Sequence, residues 1–436
     1  MKRTYYSVGL AAAFLTAAAF AQTSPLAGRW DAKFNLNGTE IPFRLDISQE
    51  GQQIKGTLFN GDETETTTSA KSDNGEIILN FEHYLTKISA ASKGNELVGK
   101  LQGRFEREKY IADYPFQASR HVDLKEDAAN VNVPSIAGNW EVPHESAKGE
   151  KSWRFIVKQD GSQLQASILR VDGDTGALTG TYKDGSWLLS HFDGSRPLVV
   201  KVTPDADGTL KLQTEGAYTP SEPLIAYRPE VAREKGLPEP TDYRTHTTVR
   251  DPNERFAFNF PDLNGKPVSN TDPRFKNKVI LAIVTGTWCP NCHDEARYLV
   301  ELDKKYRDKG LQIVALDFEE PEQQDTLARE RAFIKQYGVQ YTYLLAGAPA
   351  EMWEKVPQAV NLNTWPATLF IGRDGRVRSI HSGFAAHASG EFNQQLQQEF
   401  TSEIETLLAE NAGSTVAQNH EDNHGPNLNS VVERNP

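Results

Sequence analysis

The first half of the chain alternates apolar and polar residues, as a β-strand does when one of its faces is buried. Segments such as Phe43–Ile47 and Leu97–Leu101 show this period of two. Turn signals of the type Glu50-Gly51 recur between such segments. The pattern predicts antiparallel β-structure, folded as small barrels or sandwiches.

The framework of this β-region occurs twice. Leu26–Trp30 returns as Ile136–Trp140, 110 positions later, and the apolar segment that follows returns at the same offset. Later matches drift by a few positions, which indicates a duplicated domain with small loop insertions rather than an array of short units. We therefore expect two tandem β domains, at residues 26–121 and 136–229.

From Phe256 onward the pattern changes to strands that alternate with helices. Val279–Val284 and Leu311–Phe318 are apolar enough to be buried strands, and apolar positions in Asn291–Lys309 recur at helical spacing. This alternation predicts an open α/β sheet in residues 250–412. The remaining predicted elements are strands at Tyr341–Leu345, Thr368–Ile371 and Arg376–His381, and helices at Glu322–Tyr337 and Glu391–Glu410.

The two ends of the chain have compositions of their own. Lys2 and Arg3 precede the apolar stretch Val8–Phe20, and the small-x-small pattern at residues 19–21 follows. This arrangement predicts a secretory signal peptide at residues 1–21, with an uncleaved membrane anchor as the alternative. The mature protein is then extracytoplasmic and, in a bacterium, periplasmic. Residues 413–436 are polar and rich in Asn, Ser and Glu, and we expect a disordered tail there.

Charge and composition exclude several classes of protein. The chain has 436 residues, a formal net charge of −12 and a hydrophobic content of 38%. A chain this acidic lacks the cationic surface that binding to nucleic acids or anionic membranes requires. No apolar run after the signal segment approaches the roughly 20 residues of a membrane span. We therefore expect no nucleic-acid partner.

The chain has two cysteines, Cys289 and Cys292, separated by Pro290-Asn291. A structural disulfide is a poor explanation, because closing so short a loop removes little chain entropy. A zinc site would need ligands beyond this single pair. At the start of the predicted helix, the helix dipole and unpaired N–H groups favour a thiolate at Cys289. The pattern predicts a redox dithiol with Cys289 as attacking and Cys292 as resolving thiol, and it calls for no metal or organic cofactor.

Two motifs around this dithiol point to a family. The segments Thr287-Trp-Cys-Pro-Asn-Cys-His-Asp-Glu295 and Thr364-Trp-Pro-Ala-Thr-Leu-Phe-Ile-Gly-Arg-Asp-Gly375 resemble thioredoxin-like disulfide reductases of the TlpA/ResA type, which are related to AhpC/TSA proteins. The resemblance covers about residues 250–412 and leaves the β-repeats outside. It implies a thioredoxin-like fold and a thiol-disulfide oxidoreductase that reduces protein disulfides, in cytochrome c maturation or envelope redox homeostasis. Apocytochrome c and an upstream membrane thiol donor are the partners it implies.

The resemblance assigns roles to four further residues. Pro366 matches the family's cis-proline, which lies beside the disulfide and leaves backbone groups free for an extended substrate. Trp288 and Trp365 flank these positions, so that the three residues together are the expected substrate contacts. Glu295 matches an acid that handles the proton of the dithiol, with a first-turn glutamate complementing the helix dipole as the alternative. His293 matches no catalytic position, and we expect it to be exposed.

Other functions remain open from the sequence. A thiol peroxidase of the peroxiredoxin group shares this fold, but residues 282–288 lack the proline of its Pro-x-x-x-Thr-x-x-Cys motif. A binding protein with an auxiliary redox domain is a second alternative. The spacer Pro290-Asn291 differs from the Gly-Pro of thioredoxin, and because this spacer tunes the reduction potential, both reduction and oxidation of substrates are possible.

The β-repeats carry no cysteine and no clustered His, Asp and Glu residues with ligand spacing. We expect them to be non-catalytic and to bind or position a protein substrate or the cell envelope. The acidic turn Asp172-Gly173-Asp174 occurs in the second copy alone, and we expect it to be solvated. On this view residues 250–436 alone would act on small disulfides.

Overall fold

The computed structural model describes residues 26–51, 53–73, 75–105, 111–122, 133–216, 222–321 and 326–410. The predicted signal peptide and C-terminal tail lie outside these residues. The described residues divide into two compact units. The first unit contains the described residues within Met1–Asn132, Ser190–Val200 and Thr214–Pro220. The second unit contains the described residues within Val133–Leu189, Lys201–Gln213 and Ser221–Pro436. No helix in the described part of the chain is long and apolar enough to cross a membrane.

The first sheet has nine antiparallel strands in the order β4-β3-β2-β1-β9-β8-β7-β6-β5. Trp30 and Phe34 on β1 and Leu45 on β2 point to the same face and are buried, as the period of two requires. The sheet curves, because the short link between its terminal strands β4 and β5 is bonded at both ends. The N–H of Thr67 donates to the carbonyl of Gly56 on β3 (2.9 Å), and the N–H of Thr68 donates to the carbonyl of Asn80 on β6 (2.8 Å). The strands are β1 Gly28–Leu36, β2 Thr39–Glu50, β3 Gln53–Asn60, β4 Glu63–Thr66, β5 Ser69–Asp73, β6 Glu76–Phe81, β7 Thr86–Lys93, β8 Glu96–Gly103 and β9 Ala112–Arg120.

The second sheet is also antiparallel, in the order β10-β11-β12-β14-β15-β16-β17-β18, with β13 paired to β12. A bridge between Glu141 and Tyr227 brings its first and last strands together. The prediction of antiparallel β-structure is confirmed, since the N-terminal sheets form a half-barrel and a nearly closed barrel. The strands are β10 Gly138–Pro143, β11 Ser152–Asp160, β12 Gln163–Arg170, β13 Gly173–Asp174, β14 Leu178–Lys183, β15 Ser186–His191, β16 Leu198–Pro204, β17 Leu210–Gly216 and β18 Leu224–Ala226.

Each of these sheets buries a tryptophan under an arginine. The indole N–H of Trp30 donates to the carbonyl of Leu26 (3.0 Å), and the Arg120 guanidinium lies 4.1 Å from its ring centroid. In the second sheet the indole N–H of Trp140 donates to the carbonyl of Ile136 (2.9 Å), and the Arg228 guanidinium lies 3.8 Å from the Trp140 ring centroid. The two tryptophans are 110 positions apart in the sequence and the two arginines 108, in line with the slightly drifting offset of the sequence matches.

These cation–π pairs give a testable stability effect. Arg120→Met and Arg228→Met retain an aliphatic stem over the indole but remove the cation and its hydrogen bonds. We expect each variant to lower the free energy of unfolding by about 1–2 kcal/mol in urea titrations. The control is Lys71→Met, which removes an exposed cation from β5. Losses no larger than that of the control would contradict this role.

The C-terminal part is built around a five-stranded sheet in the order β24-β23-β22-β26-β27. Strands β22, β23 and β24 are parallel, whereas β26 and β27 are antiparallel to their neighbours. The strands are β19 Thr248–Val249, β20 Asn259–Pro261, β21 Pro267–Ser269, β22 Val279–Thr285, β23 Leu311–Phe318, β24 Thr342–Gly347, β25 Ala359–Val360, β26 Ala367–Ile371 and β27 Val377–Ser382. The helices are α1 Pro229–Glu234, α2 Tyr243–His246, α3 Pro290–Tyr306, α4 Ala328–Tyr337, α5 Met352–Lys355 and α6 Glu391–Ala409.

The predicted α/β alternation is confirmed, with one correction. Helix α4 begins at Ala328, later than the predicted start at Glu322. The residue before it, Leu327, has a left-handed backbone (φ 53°), which ends the turn that precedes the helix. Glu322 itself lies outside the described residues.

Both faces of the five-stranded sheet are covered, so every residue of β22 is buried, and all but the last, Thr285, are apolar. One face packs against α3 and α6. The same hydrophobic cluster includes Ile156 from β11 and Leu169 from β12. Residues of the second sheet therefore share a core with α6 and with α3, the helix that begins at the predicted dithiol.

Candidate redox site

The two cysteines lie where β22 gives way to α3. Cys289 is the residue before the helix, and Pro290 takes the first helical position, where its missing N–H costs no hydrogen bond. Cys289 and Cys292 are joined in a disulfide, with their Cα atoms 5.2 Å apart. The N–H of Cys292 donates to the sulfur of Cys289 (3.2 Å). A helix N–H directed at this sulfur would stabilise a thiolate there once the disulfide is reduced.

The aromatic flank of the dithiol comes from two distant segments. The indole N–H of Trp288 donates to the carbonyl of Phe318 at the end of β23 (2.9 Å). The rings of Trp288 and Trp365 meet edge to face, with centroids 5.1 Å apart. A Cβ at Gly286 would lie 2.4 Å from the Trp288 ring nitrogen, so this position needs glycine. The structure thus brings the two predicted tryptophans together.

Pro366 follows Trp365 and is the residue before β26, and the Trp365–Pro366 peptide bond is cis, as the resemblance implies. Its carbonyl accepts a hydrogen bond from the N–H of Gly383 (2.8 Å). Strands β22 and β26 are neighbours in the sheet, with Val284 opposite Ala367. This pairing carries the dithiol loop and the proline to the same end of the sheet.

Glu295 lies inside the protein, 1% exposed. One carboxylate oxygen accepts a hydrogen bond from the Thr368 hydroxyl (2.5 Å), and the other has no hydrogen-bond partner in the part of the chain that the structure describes. Burial raises the pKa of Glu295 to about 8, although the Thr368 hydrogen bond opposes the shift. A carboxyl group of this kind exchanges protons near neutral pH. The alternative, a first-turn glutamate that complements the helix dipole, does not fit, because the first turn of α3 contains no acidic residue.

A second group of buried acids, which we did not predict, lies beneath the dithiol loop. Glu319 accepts a hydrogen bond from the N–H of Thr287 (2.5 Å), and burial raises the pKa of Glu319 to about 7. Asp317 accepts one from the hydroxyl of Tyr343 (3.0 Å), and burial together with the neighbouring Glu319 carboxylate raises its pKa well above the usual value. The signal was present in the sequence, because Asp317 lies between Leu316 and Phe318 in a strand whose only other polar residue is Gln312.

The acids are not arranged as a metal site. Among the residues that the structure describes, no group of three His, Cys, Asp or Glu side chains could hold a metal ion.

His293 is buried, at 1% exposure, so the expectation that it is exposed is wrong. One ring nitrogen lies 2.7 Å from the carbonyl of Thr287 and the other 2.7 Å from the hydroxyl of Tyr337. The aromatic side chains of α4 cover it, with the Phe333 ring packed edge to face. His293 therefore ties the dithiol loop to α4.

The acidic turn of the second sheet is also placed differently from its prediction. Asp174 is fully buried, and its carboxylate accepts hydrogen bonds from the N–H of Ala386 (2.9 Å) and the hydroxyl of Ser389 (2.5 Å). The amide of Asn291, between the two cysteines, donates to the carbonyl of Asp172 (2.8 Å). The prediction of a solvated turn is wrong, because this turn packs against the dithiol site.

Comparisons with known proteins match the C-terminal part of the chain. Residues 252–380 match the model of the AhpC/TSA family. Thiol-disulfide oxidoreductase ResA of Bacillus thuringiensis (strain Al Hakam) is 31% identical over 120 residues, which are 28% of this chain and 62% of that protein. ResA of Bacillus subtilis (strain 168) is 28% identical over 126 residues, 29% of this chain and 64% of that protein. The chain thus spans less than two thirds of the length of these curated relatives.

Among solved structures, a thiol:disulfide interchange protein of the thioredoxin family from Chlorobium tepidum TLS is similar to 36% of this chain and 97% of its own, with a TM-score of 0.28 and 19% identity. The β-rich N-terminal half of the chain lies outside the stretch that the family model matches. The C-terminal region of this protein contains an AhpC/TSA-family domain with thiol-disulfide oxidoreductases of the ResA type among its homologues.

Proposed function

We propose that this protein is an extracytoplasmic thiol-disulfide oxidoreductase that reduces protein disulfides through Cys289 and Cys292. The observation that carries the proposal is a disulfide at a helix N-terminus, with a helix N–H on the Cys289 sulfur and Pro366 and a buried acid close by in the fold. The names of the ResA relatives support the same activity.

The reaction begins with the reduced dithiol. The Cys289 thiolate attacks one sulfur of the substrate disulfide, the substrate S–S bond breaks, and the second substrate sulfur leaves as a thiolate that takes up a proton. Cys292 then loses its proton and attacks the Cys289 sulfur. This step forms the Cys289–Cys292 disulfide and releases the first substrate sulfur as a thiol. Two electrons have passed to the substrate. An external dithiol then supplies two new electrons to the Cys289–Cys292 disulfide and is itself oxidised to a disulfide.

Glu295 is the proposed acceptor of the Cys292 proton. It lies one helical turn after Cys292, on the same face of α3. In its ionised form the carboxylate can take the thiol proton, and in its protonated form it can return that proton to a leaving sulfur. A pKa of about 8 keeps both forms populated near neutral pH.

The setting of the reaction is part of the proposal. The signal-like segment at residues 1–21 supports an extracytoplasmic location, which we take to be the periplasm. We propose apocytochrome c as a candidate substrate and a membrane thiol protein as electron donor. The proposed domains are two β domains, at residues 26–121 and 136–229, and a thioredoxin-like domain at residues 250–412. The β domains would bind or position protein substrates.

The activity is tested by supplying a dithiol reductant and measuring insulin disulfide reduction and hydrogen peroxide consumption by the same full-length protein. We expect turnover of insulin disulfides and background consumption of peroxide. Rapid peroxide consumption without disulfide exchange would contradict the proposal and identify a thiol peroxidase. Activity on neither substrate would favour a binding protein with an auxiliary disulfide.

A further inference from the structure

Two asparagines beside the dithiol donate to backbone carbonyls of the β-rich region. Asn291, between the cysteines, donates to the carbonyl of Asp172 (2.8 Å). Asn363, two residues before Trp365, donates to the carbonyl of Lys148 (3.3 Å). The two acceptor residues are joined to each other, because the Lys148 ammonium lies 2.7 Å from the Asp172 carboxylate. Residues of one β-region thus make contact on both sides of the redox motif.

Between these contacts the two backbones approach closely. Gly173 forms a parallel bridge with Phe384. A Cβ at Gly173 would lie 2.5 Å from the Phe384 carbonyl and 2.6 Å from the Asn291 amide nitrogen. A Cβ at Gly383 would lie 2.4 Å from the carbonyl carbon of Asp172. The two backbones touch, so no further polypeptide fits between Asp172–Asp174 and Gly383–Phe384. The second of these segments is hydrogen-bonded to Pro366 through the N–H of Gly383.

Asp174 anchors this arrangement from inside. Its carboxylate accepts from Ala386, Ser389 and the N–H of Gly176 (2.8 Å). These hydrogen bonds hold the carboxylate in place, because losing one donor would leave part of a buried negative charge without a hydrogen-bond partner, which costs free energy. Behind it, the Ser167 hydroxyl donates to the carbonyl of Ala388 (3.2 Å). The contact is therefore a packed, hydrogen-bonded surface.

We infer that Asp172–Asp174, here called the wall segment, determines which disulfides the dithiol can reach. This inference rests on the proposed function and narrows its substrate class. The wall segment lies against the Asn291 side of the dithiol, and Cys289 is only 4% exposed. A disulfide on a small molecule or on a flexible, extended segment can enter from the remaining side. A disulfide on the rigid surface of a folded domain meets the wall segment first.

The test compares two probes that release the same chromophore from the reduced full-length protein. One is the small disulfide 5,5′-dithiobis(2-nitrobenzoate), and the other is the thionitrobenzoate mixed disulfide of a folded protein with a single surface cysteine. Asp174→Asn replaces an acceptor oxygen with an N–H₂ group that cannot accept from Ala386 or Ser389. We expect its rate with the folded probe, relative to the small probe, to rise about tenfold, the scale of steric discrimination in a site.

Two further variants keep the result interpretable. Asp160→Asn changes an exposed residue at the end of β11, in the same sheet, and should leave the ratio of the two rates unchanged. Lys148→Met breaks the half-buried ion pair with Asp172, is the alternative if Asp174→Asn does not fold, and should raise the ratio in the same direction. An unchanged or lowered ratio in a folded variant, with a normal small-probe rate, would overturn the inference. Wild-type protein that reacts with neither probe faster than a free thiol would overturn the proposed function instead.

Discussion

Replacing Cys292 by serine is expected to accumulate mixed disulfides between Cys289 and protein substrates, whereas replacing Cys289 is expected to accumulate few. In Cys292→Ser the attacking thiol is intact, but no second thiol can release the substrate. In Cys289→Ser the remaining thiol is 1% exposed and lies inside the helix. Both variants should lose at least about a hundredfold in disulfide turnover, because each removes one of the two covalent steps. Non-reducing gels and mass spectrometry of the adducts measure the trapping.

The sequence offers a clean control for this experiment. The whole chain has two cysteines, so the double variant Cys289→Ser/Cys292→Ser has no thiol and should form no adduct. Equal trapping by the two single variants would overturn the assignment of attacking and resolving thiols. Trapping mainly through Cys292 would reverse it.

The parts of the site that could be predicted from sequence are those that local chemistry determines. The dithiol, the cis bond at Pro366 and the acid at Glu295 belong to two short motifs, of nine and twelve residues. A helix start next to a buried strand fixes the position of Cys289 whatever the rest of the chain does. The burial of β22, read from its uninterrupted apolar run, follows in the same way.

The parts that could not be predicted depend on contacts between distant segments. Asn291 and Asp172 are 119 positions apart, and Asp174 and Ser389 are 215 apart. Nothing in the turn itself distinguishes a solvated acid from one that a later loop will cover. The prediction that His293 is exposed was wrong for the same reason, because only the placement of α4 decides whether its ring is exposed.

The shared core also bears on the expectation that residues 250–436 act alone. Ile156 and Leu169 pack in the same cluster as Leu299 of α3 and Phe400 of α6. Removing the β-region would expose that part of the core to water, at a cost of about 25 cal/mol for each Å² of apolar surface. Independent activity of residues 250–436 stays a prediction, and the full chain is the appropriate protein for the experiments proposed above.

Glu295→Gln is expected to slow the resolution step and to remove a pH dependence of stability. Glutamine cannot accept the Cys292 proton, so release of a trapped mixed disulfide should slow by about a hundredfold, in the range of general acid–base effects. In the wild-type protein the rate of this step should rise as pH increases through about 8, where the carboxyl group ionises. The variant should lose that inflection. Stopped-flow measurements of mixed-disulfide resolution from pH 6 to 10 show both effects.

Glu295→Gln should also change how the free energy of unfolding depends on pH, and the raised pKa of Glu295 determines the sign of this change. The folded protein holds the proton up to about pH 8, whereas the unfolded chain releases it near the ordinary value of 4.5. The folded state therefore binds more protons between these values, and wild-type stability falls as pH rises across this window. Relative to wild type, Glu295→Gln should gain roughly 2–5 kcal/mol between pH 5 and pH 9. Because Asp317 and Glu319 titrate in both proteins, this difference isolates Glu295.

The matched control is Glu301→Gln, which changes an exposed glutamate on the same helix and should alter neither the kinetics nor the pH dependence of unfolding. The two readouts separate the possible roles of Glu295. A pH-dependent gain in stability without slower resolution would show a buried carboxyl group that takes no part in the proton transfer. Unchanged kinetics and unchanged pH dependence together would mean that Glu295 titrates as an exposed residue does, and both its burial and its role in catalysis would then be wrong.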